Sequence, residues 1–82
     1  MDIQTEVLRI LDSVLSLNGR AHGFEAATPL LGAVPEFDSM AVVTLITTIE
    51  EQFGITVDDD EISGDVFATV GSLTEFVTQK LG

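Results

Sequence analysis

The chain has 82 residues, 45% of them hydrophobic, no cysteine, and 14 acidic against 3 basic side chains for a formal net charge of -11. That length holds one domain with a small core, here residues 1–82, and the apolar fraction argues against disorder; lack of cysteine removes disulfides and thiolate metal sites and fits a reducing cytosol. The charge repels phosphate backbones and anionic lipid, which argues against nucleic acid and membrane partners, and it invites basic protein surfaces, on which complementary charge raises association rate more than residence time.

Residues 2–17 predict a first helix. Ile3, Val7, Leu11, Val14 and Leu15 recur at helical spacing with Leu8 beside them, while Glu6, Arg9 and Asp12 take the other side. The opening Met1-Asp2-Ile3-Gln4-Thr5-Glu6 is acidic and polar, the opposite of a signal peptide. No apolar run approaches the roughly 18–20 residues of a membrane span, so the chain is read as cytoplasmic and not membrane-inserted.

From Asn18 to Phe37 the helical period is lost among Gly19, Gly23, Pro29, Gly32 and Pro35. A connection of about 20 residues is longer than ordinary ones and points to a functional loop. Phe24, Leu30, Leu31, Val34 and Phe37 are spaced to fold it back onto the core. Arg20 and His22 are read as solvated, since one histidine makes no metal site.

Asp38-Ser39 stands directly before the next apolar pattern. Asp38 suits a helix N-cap, its carboxylate accepting an orphan backbone N–H, with Ser39 as the first helical residue. A nucleophilic serine would need a general base and a group to orient it. His22 is the lone histidine, and there is no Gly-x-Ser-x-Gly elbow, so a hydrolase fails on inventory.

Over 39–53 two rules collide. Val42, Val43, Thr44, Ile46, Thr47, Thr48 and Ile49 are β-branched and favour strand, yet apolar positions 42, 43, 45, 46 and 49 follow a helical stripe. Propensity differences are tenths of a kcal/mol per residue, whereas burying each large side chain contributes roughly 1.5–3 kcal/mol. The period therefore predicts a second helix, extended by Met40 and Phe53 and ended at Gly54.

The acidic run Asp58-Asp59-Asp60-Glu61 invites comparison with a calcium loop. That motif needs Gly at its sixth position and Glu at its twelfth, where counting from Asp58 this chain has Ser63 and Thr69. A short third helix is expected over 59–67, interrupted near Gly64, with Ile62, Val66 and Phe67 inward. A last helix is expected over 71–81, with Leu73, Phe76, Val77 and Leu81 on one face, capped by Thr69 or Ser72; Ser72 with Glu75 matches a capping box.

Four segments stand in order: Thr28-Pro29-Leu30-Leu31-Gly32, Asp38-Ser39-Met40, Phe53-Gly54-Ile55 and Thr69-Val70-Gly71-Ser72-Leu73. Together they resemble the acyl carrier protein family, whose attachment serine sits in an Asp-Ser-Leu or Asp-Ser-Met motif, and the resemblance runs from about Val7 to Leu81. It agrees with an all-α fold, a small four-helix bundle with three main helices, a short third one and a long first loop. It implies that Ser39 receives a 4'-phosphopantetheine arm, with Asp38 shaping the helix start and Met40 adjacent. An acyl or aminoacyl group then rides as a thioester on the arm's thiol, and the chain is a carrier and not an enzyme. The implied partners are a phosphopantetheinyl transferase, which supplies base and metal, and acyl-loading and acyl-accepting enzymes with basic docking surfaces.

Glu36, Asp38, Ala41, Thr44, Glu50, Glu51, Asp58, Asp59 and Asp60 are the candidate partner contacts. By resemblance, an acyl chain would shelter between the second and third helices, near Met40, Val43, Ile46 and Ile62. One departure stands out. Fatty-acid carriers usually place an acid early on the exposed face of the second helix, whereas none occurs here between Asp38 and Glu50. Ala41, Thr44, Thr47 and Thr48 leave a small neutral surface, which points away from ordinary fatty acid biosynthesis toward a specialised lipid, polyketide or acyl-transfer pathway. A peptidyl or aminoacyl carrier and an unmodified acidic helical interaction module are the alternatives, and a monomer is expected.

Overall fold

Asp2 begins the first helix by accepting the Gln4 N–H at 3.2 Å and the Thr5 hydroxyl at 2.8 Å. The computed structural model describes residues 2–30, 32, 34 and 37–82, without the side chain of Asp59. Helix α1 spans Ile3–Leu15 and buries Val7, Ile10, Leu11 and Leu15. It stops short of the expected 17 because Ser16 turns left-handed at φ 54°. The Leu17 N–H then reaches back to the Asp12 carbonyl at 3.0 Å, and Leu17 is fully buried. Asp12, expected on the solvent side, is half-buried, and its carboxylate accepts the Ala21 N–H at 3.3 Å. That bond anchors a 3₁₀ turn at Arg20–Gly23 that brings Ala21 into the core.

The rest of the long connection is held by the segment that starts the last helix. The Leu30 N–H donates to the Ala68 carbonyl at 2.9 Å and the Val70 N–H to the Thr28 carbonyl at 3.0 Å, an isolated antiparallel bridge between Pro29 and Thr69. The Gly71 N–H adds a bond to the Ala26 carbonyl at 2.8 Å. A β-carbon at 71 would lie 2.9 Å from that same oxygen, so only glycine permits the approach. Leu30 and Phe37 are buried, and Phe24 and Val34 pack partly against the core; Leu31 lies outside the described residues.

Helix α2 spans Ser39–Phe53, as the period predicts, from the Asp38 cap to Gly54 in the left-handed region at φ 67°. It buries Leu45, Ile46 and Ile49, with Val42 and Phe53 partly buried. Val43, expected inward, is 62% exposed. At about 100° per residue it lies roughly 110° from the centre of the face shared by 42, 45, 46 and 49.

In place of a third helix over 59–67 the chain makes a 3₁₀ turn at Asp59–Glu61 and a further turn over 64–67. Consecutive acids and Gly64 disfavour α-helix here. The Glu61 carboxylate accepts the Asp58 N–H at 2.9 Å and closes the first turn on itself. Phe67 is buried, its ring edge-on to Phe37 at 5.7 Å and 61°. Helix α3 spans Val70–Leu81, one residue earlier than expected. Its capping box pairs Thr69 with Ser72 (3.0 and 3.1 Å), not Ser72 with Glu75. Val70, Leu73 and Val77 are buried, Phe76 is half-buried, and Leu81 is 43% exposed. Helix α1 packs against both α2 and α3. The described residues are thus all-helical, with no strand and no helix long and apolar enough to cross a membrane.

Candidate functional site

The start of α2 is built so that one side chain does the capping and its neighbour is left exposed. The Asp38 carboxylate accepts the Ala41 N–H at 2.9 Å, and its carbonyl accepts the Val42 N–H at 3.0 Å. Those bonds fix the helix start and turn the carboxylate into the first turn. Ser39 is exposed, and its hydroxyl makes no hydrogen bond among the described residues. His22 is exposed on the 3₁₀ turn after α1 and makes no hydrogen bond to Ser39. Nothing among the described residues activates the serine as a nucleophile.

What this corner does offer is an exposed hydroxyl at the N-terminus of α2. A phosphodiester on the Ser39 oxygen would sit at the N-terminus of a helix of 15 residues, where the helix dipole and free backbone N–H groups favour negative charge. Asp38 takes the Ala41 N–H, and the N–H groups of Ser39 and Met40 have no partner among the described residues. No buried side chain has to move for an arm to leave the surface here, because Asp38, Ser39 and Met40 are all exposed. The residues present fit a phosphopantetheine linked through Ser39.

Directly after Ser39, Met40 is 74% exposed, and one turn further along Val43 is 62% exposed, with Thr44 and Thr47 exposed as well. Positions 40, 43, 44 and 47 follow i, i+3, i+4 and i+7 and share one stripe of the helix surface. The Thr47 hydroxyl donates to the Val43 carbonyl at 3.0 Å, and the Thr48 hydroxyl to the Thr44 carbonyl at 2.9 Å. These threonines satisfy the helix's own carbonyls and turn little hydrogen-bonding capacity outward. Ala41, expected on the neutral surface, is half-buried against the core, and Thr48 is half-buried as well.

The four residues named as a shelter for an acyl chain differ in burial. Met40 and Val43 face outward, Ile46 is 6% exposed and in the core, and Ile62 packs partly against it. Two clefts lie elsewhere. One, of about 220 Å³, lies between Asp65, Val66, Ser72, Glu75, Phe76 and Gln79. The other, of about 150 Å³, lies between α1 and α2 beside Ile10 and Thr48.

The acidic candidates divide by role. Glu51, Asp58 and Asp60 are exposed. Glu50 is half-buried, and its carboxylate accepts the Val57 N–H at 2.9 Å, so it holds the chain leaving α2. Glu36 and the side chain of Asp59 lie outside the described residues. Glu61 is not among the candidates read from the sequence, yet its two oxygens accept from the Lys80 ammonium at 2.8 and 2.9 Å. The Lys80 bonds, and then the Asp58 N–H, hold its carboxyl below the ordinary glutamate range. The two partners are 19 positions apart, so no local spacing rule pairs them; α3 brings them together by running back past the turn. Among the described residues no group of three or more His, Cys, Asp or Glu is arranged to hold a metal ion.

The chain matches the family described as the phosphopantetheine attachment site over residues 6–77. It is also similar to a holo acyl carrier protein from Nitrosomonas europaea, solved in solution by NMR. The two are 52% identical and superimpose with a TM-score of 0.91, over 99% of this chain and 98% of that one. No curated protein matches.

Proposed function

This chain belongs to the acyl carrier protein family, a carrier with a covalently attached phosphopantetheine and not an enzyme, and we propose that Ser39 is where the arm is attached. The observation that carries the placement is the exposed, unengaged Ser39 hydroxyl at the start of α2, beside a carboxylate already committed to the Ala41 N–H. A phosphopantetheinyl transferase supplies the chemistry of attachment. The chain supplies an accessible oxygen and a helix N-terminus that tolerates the resulting phosphodiester. Acyl intermediates then ride as thioesters on the arm's thiol, which this cysteine-free sequence cannot supply itself.

The setting is the cytoplasm and the partners are acyl-loading and acyl-accepting enzymes. The lack of any ionisable side chain from Ser39 to Ile49 favours dedicated enzymes of a specialised lipid, polyketide or acyl-transfer pathway. Glu51, Asp58 and Asp60, exposed further from Ser39, steer basic partner surfaces toward it. Glu50 is better read as a structural tie through Val57 than as a docking residue. The test is intact mass after incubation with coenzyme A and a broad-specificity phosphopantetheinyl transferase. The wild-type chain gains one arm and Ser39→Ala gains none; an arm on Ser39→Ala, or no arm on wild type, contradicts the placement.

A further inference from the structure

We propose that Lys80 is an acylation site for the thioester cargo of this carrier, and that its ion pair with Glu61 is the guard that keeps it unreacted. This rests on the carrier reading above, in which acyl groups ride as thioesters; a thioester passes its acyl group to a free amine or thiol. The chain has no cysteine, and its 3 basic side chains are Arg9, Arg20 and Lys80, so Lys80 is the one side-chain amine in 82 residues. A guanidinium stays protonated and does not compete. Hydroxyls need a general base to react, and an acyl group on the His22 imidazole is lost again to water. Lys80 is therefore the one side chain that would take an acyl group from a thioester and hold it permanently.

The fold holds that amine in its unreactive form. The Lys80 ammonium donates to both Glu61 oxygens, at 2.8 and 2.9 Å. Glu61 is itself anchored, because its carboxylate also accepts the Asp58 N–H at 2.9 Å. An ammonium has three donors and no lone pair, so attack requires loss of a proton together with both charge-assisted bonds. The Lys80 side chain is 25% and that of Glu61 33% exposed, so a small thioester reaches the nitrogen once the pair opens. One proton then leaves the ammonium for solvent, and the nitrogen attacks the thioester carbonyl. A C–N bond forms as the C–S bond breaks, and the departing thiolate takes up a second proton from the nitrogen. The product is a neutral amide, which removes the ionic tie between the turn at Asp59–Glu61 and α3.

The experiment follows the full chain at mildly alkaline pH with two acyl donors. One is S-acetyl-N-acetylcysteamine, a small neutral thioester, given to the chain without an arm. The other is an acetyl group loaded on the arm, with no other thioester present. Acetyl on Lys80 is counted by fragmentation mass spectrometry. With both donors Glu61→Gln is acetylated at Lys80 about threefold faster than wild type, the scale set by a partly exposed ion pair. Asp2→Ala loses the cap of α1 and keeps the pair, so it retains the wild-type rate, which separates the guard from general loosening of the fold. Wild type acetylated at Lys80 melts below the unacetylated chain, because the tie to Glu61 is gone. Equal rates in wild type and Glu61→Gln, an equal rise in Asp2→Ala, or stable acetyl on other side chains each overturn the inference. Acetylation by the free thioester with none from the loaded arm overturns the cargo as donor. The free thioester needs no modified serine, whereas a chain that takes up no arm at all contradicts the placement at Ser39, so the two failures are separable.

Discussion

The Asp38 carboxylate and the Ser39 hydroxyl are neighbours with separate tasks, and substitutions should separate them. Asp38 closes the first turn of α2 through the Ala41 N–H at 2.9 Å. Asp38→Ala therefore lowers unfolding free energy by about 1 kcal/mol, the usual loss for an N-cap. Ser39→Ala leaves it within about 0.5 kcal/mol, as expected for an exposed side chain away from any structural feature. Urea unfolding of the two variants checks this; equal destabilisation would mean that Ser39 also has a structural role. This division is legible in the sequence, because Asp-Ser before an apolar helical period is a local signal. The role of Glu50 is not. Its spacing suggests an exposed acid on α2, and only the return of the chain at Val57 gives its carboxylate a backbone N–H to hold.

At the scale of elements, the bounds of α2 are readable to the residue. Asp38 and Gly54 mark its ends, and burial of Leu45, Ile46 and Ile49 outweighs the strand preference of its β-branched residues. The segment after it is not readable. The 3₁₀ turn at Asp59–Glu61 is held by Glu61 reaching back to the Asp58 N–H and across to Lys80, and the second of these is a tertiary bond between residues on different elements. It has a pH signature. Because the folded-state carboxyl of Glu61 titrates below the ordinary glutamate range, its contribution is present at neutral pH and is lost as pH falls through that lowered value. Glu61→Gln therefore has a lower Tm than wild type at pH 7, and the two converge as acid protonates Glu61. A Tm difference that is constant across that range contradicts the role given to the ion pair. The difference at pH 7 is small, since the pair is partly solvent-exposed. Likewise the sequence leaves Thr69 and Ser72 both open as the cap of α3, with a box pattern at Ser72 and Glu75; Thr69 takes it, its backbone held beside Pro29 by the bridge.

Across the whole molecule, negative charge far exceeds positive. Among the 3 basic residues in the chain, Lys80 binds Glu61, Arg9 pairs with Glu6 at 3.0 Å, and the Arg20 Nε donates to the Leu17 carbonyl at 3.2 Å. The remaining acids repel one another, so added salt raises Tm by screening them. A flat or falling Tm up to about 1 M salt, where the screening length is about 3 Å, contradicts this. Family and helical fold are both legible from four short segments in order, and the structure shows why two of them travel together: Thr28-Pro29 and Thr69-Val70 are bonded to each other. Which faces of α2 meet solvent is less legible, because Val43 lies at the edge of the apolar stripe and only packing decides its side. The most direct measurement of where the arm sits is its residue-level localisation by fragmentation mass spectrometry of the modified chain. The whole added mass is expected on Ser39; the same mass found on any other residue would contradict the placement.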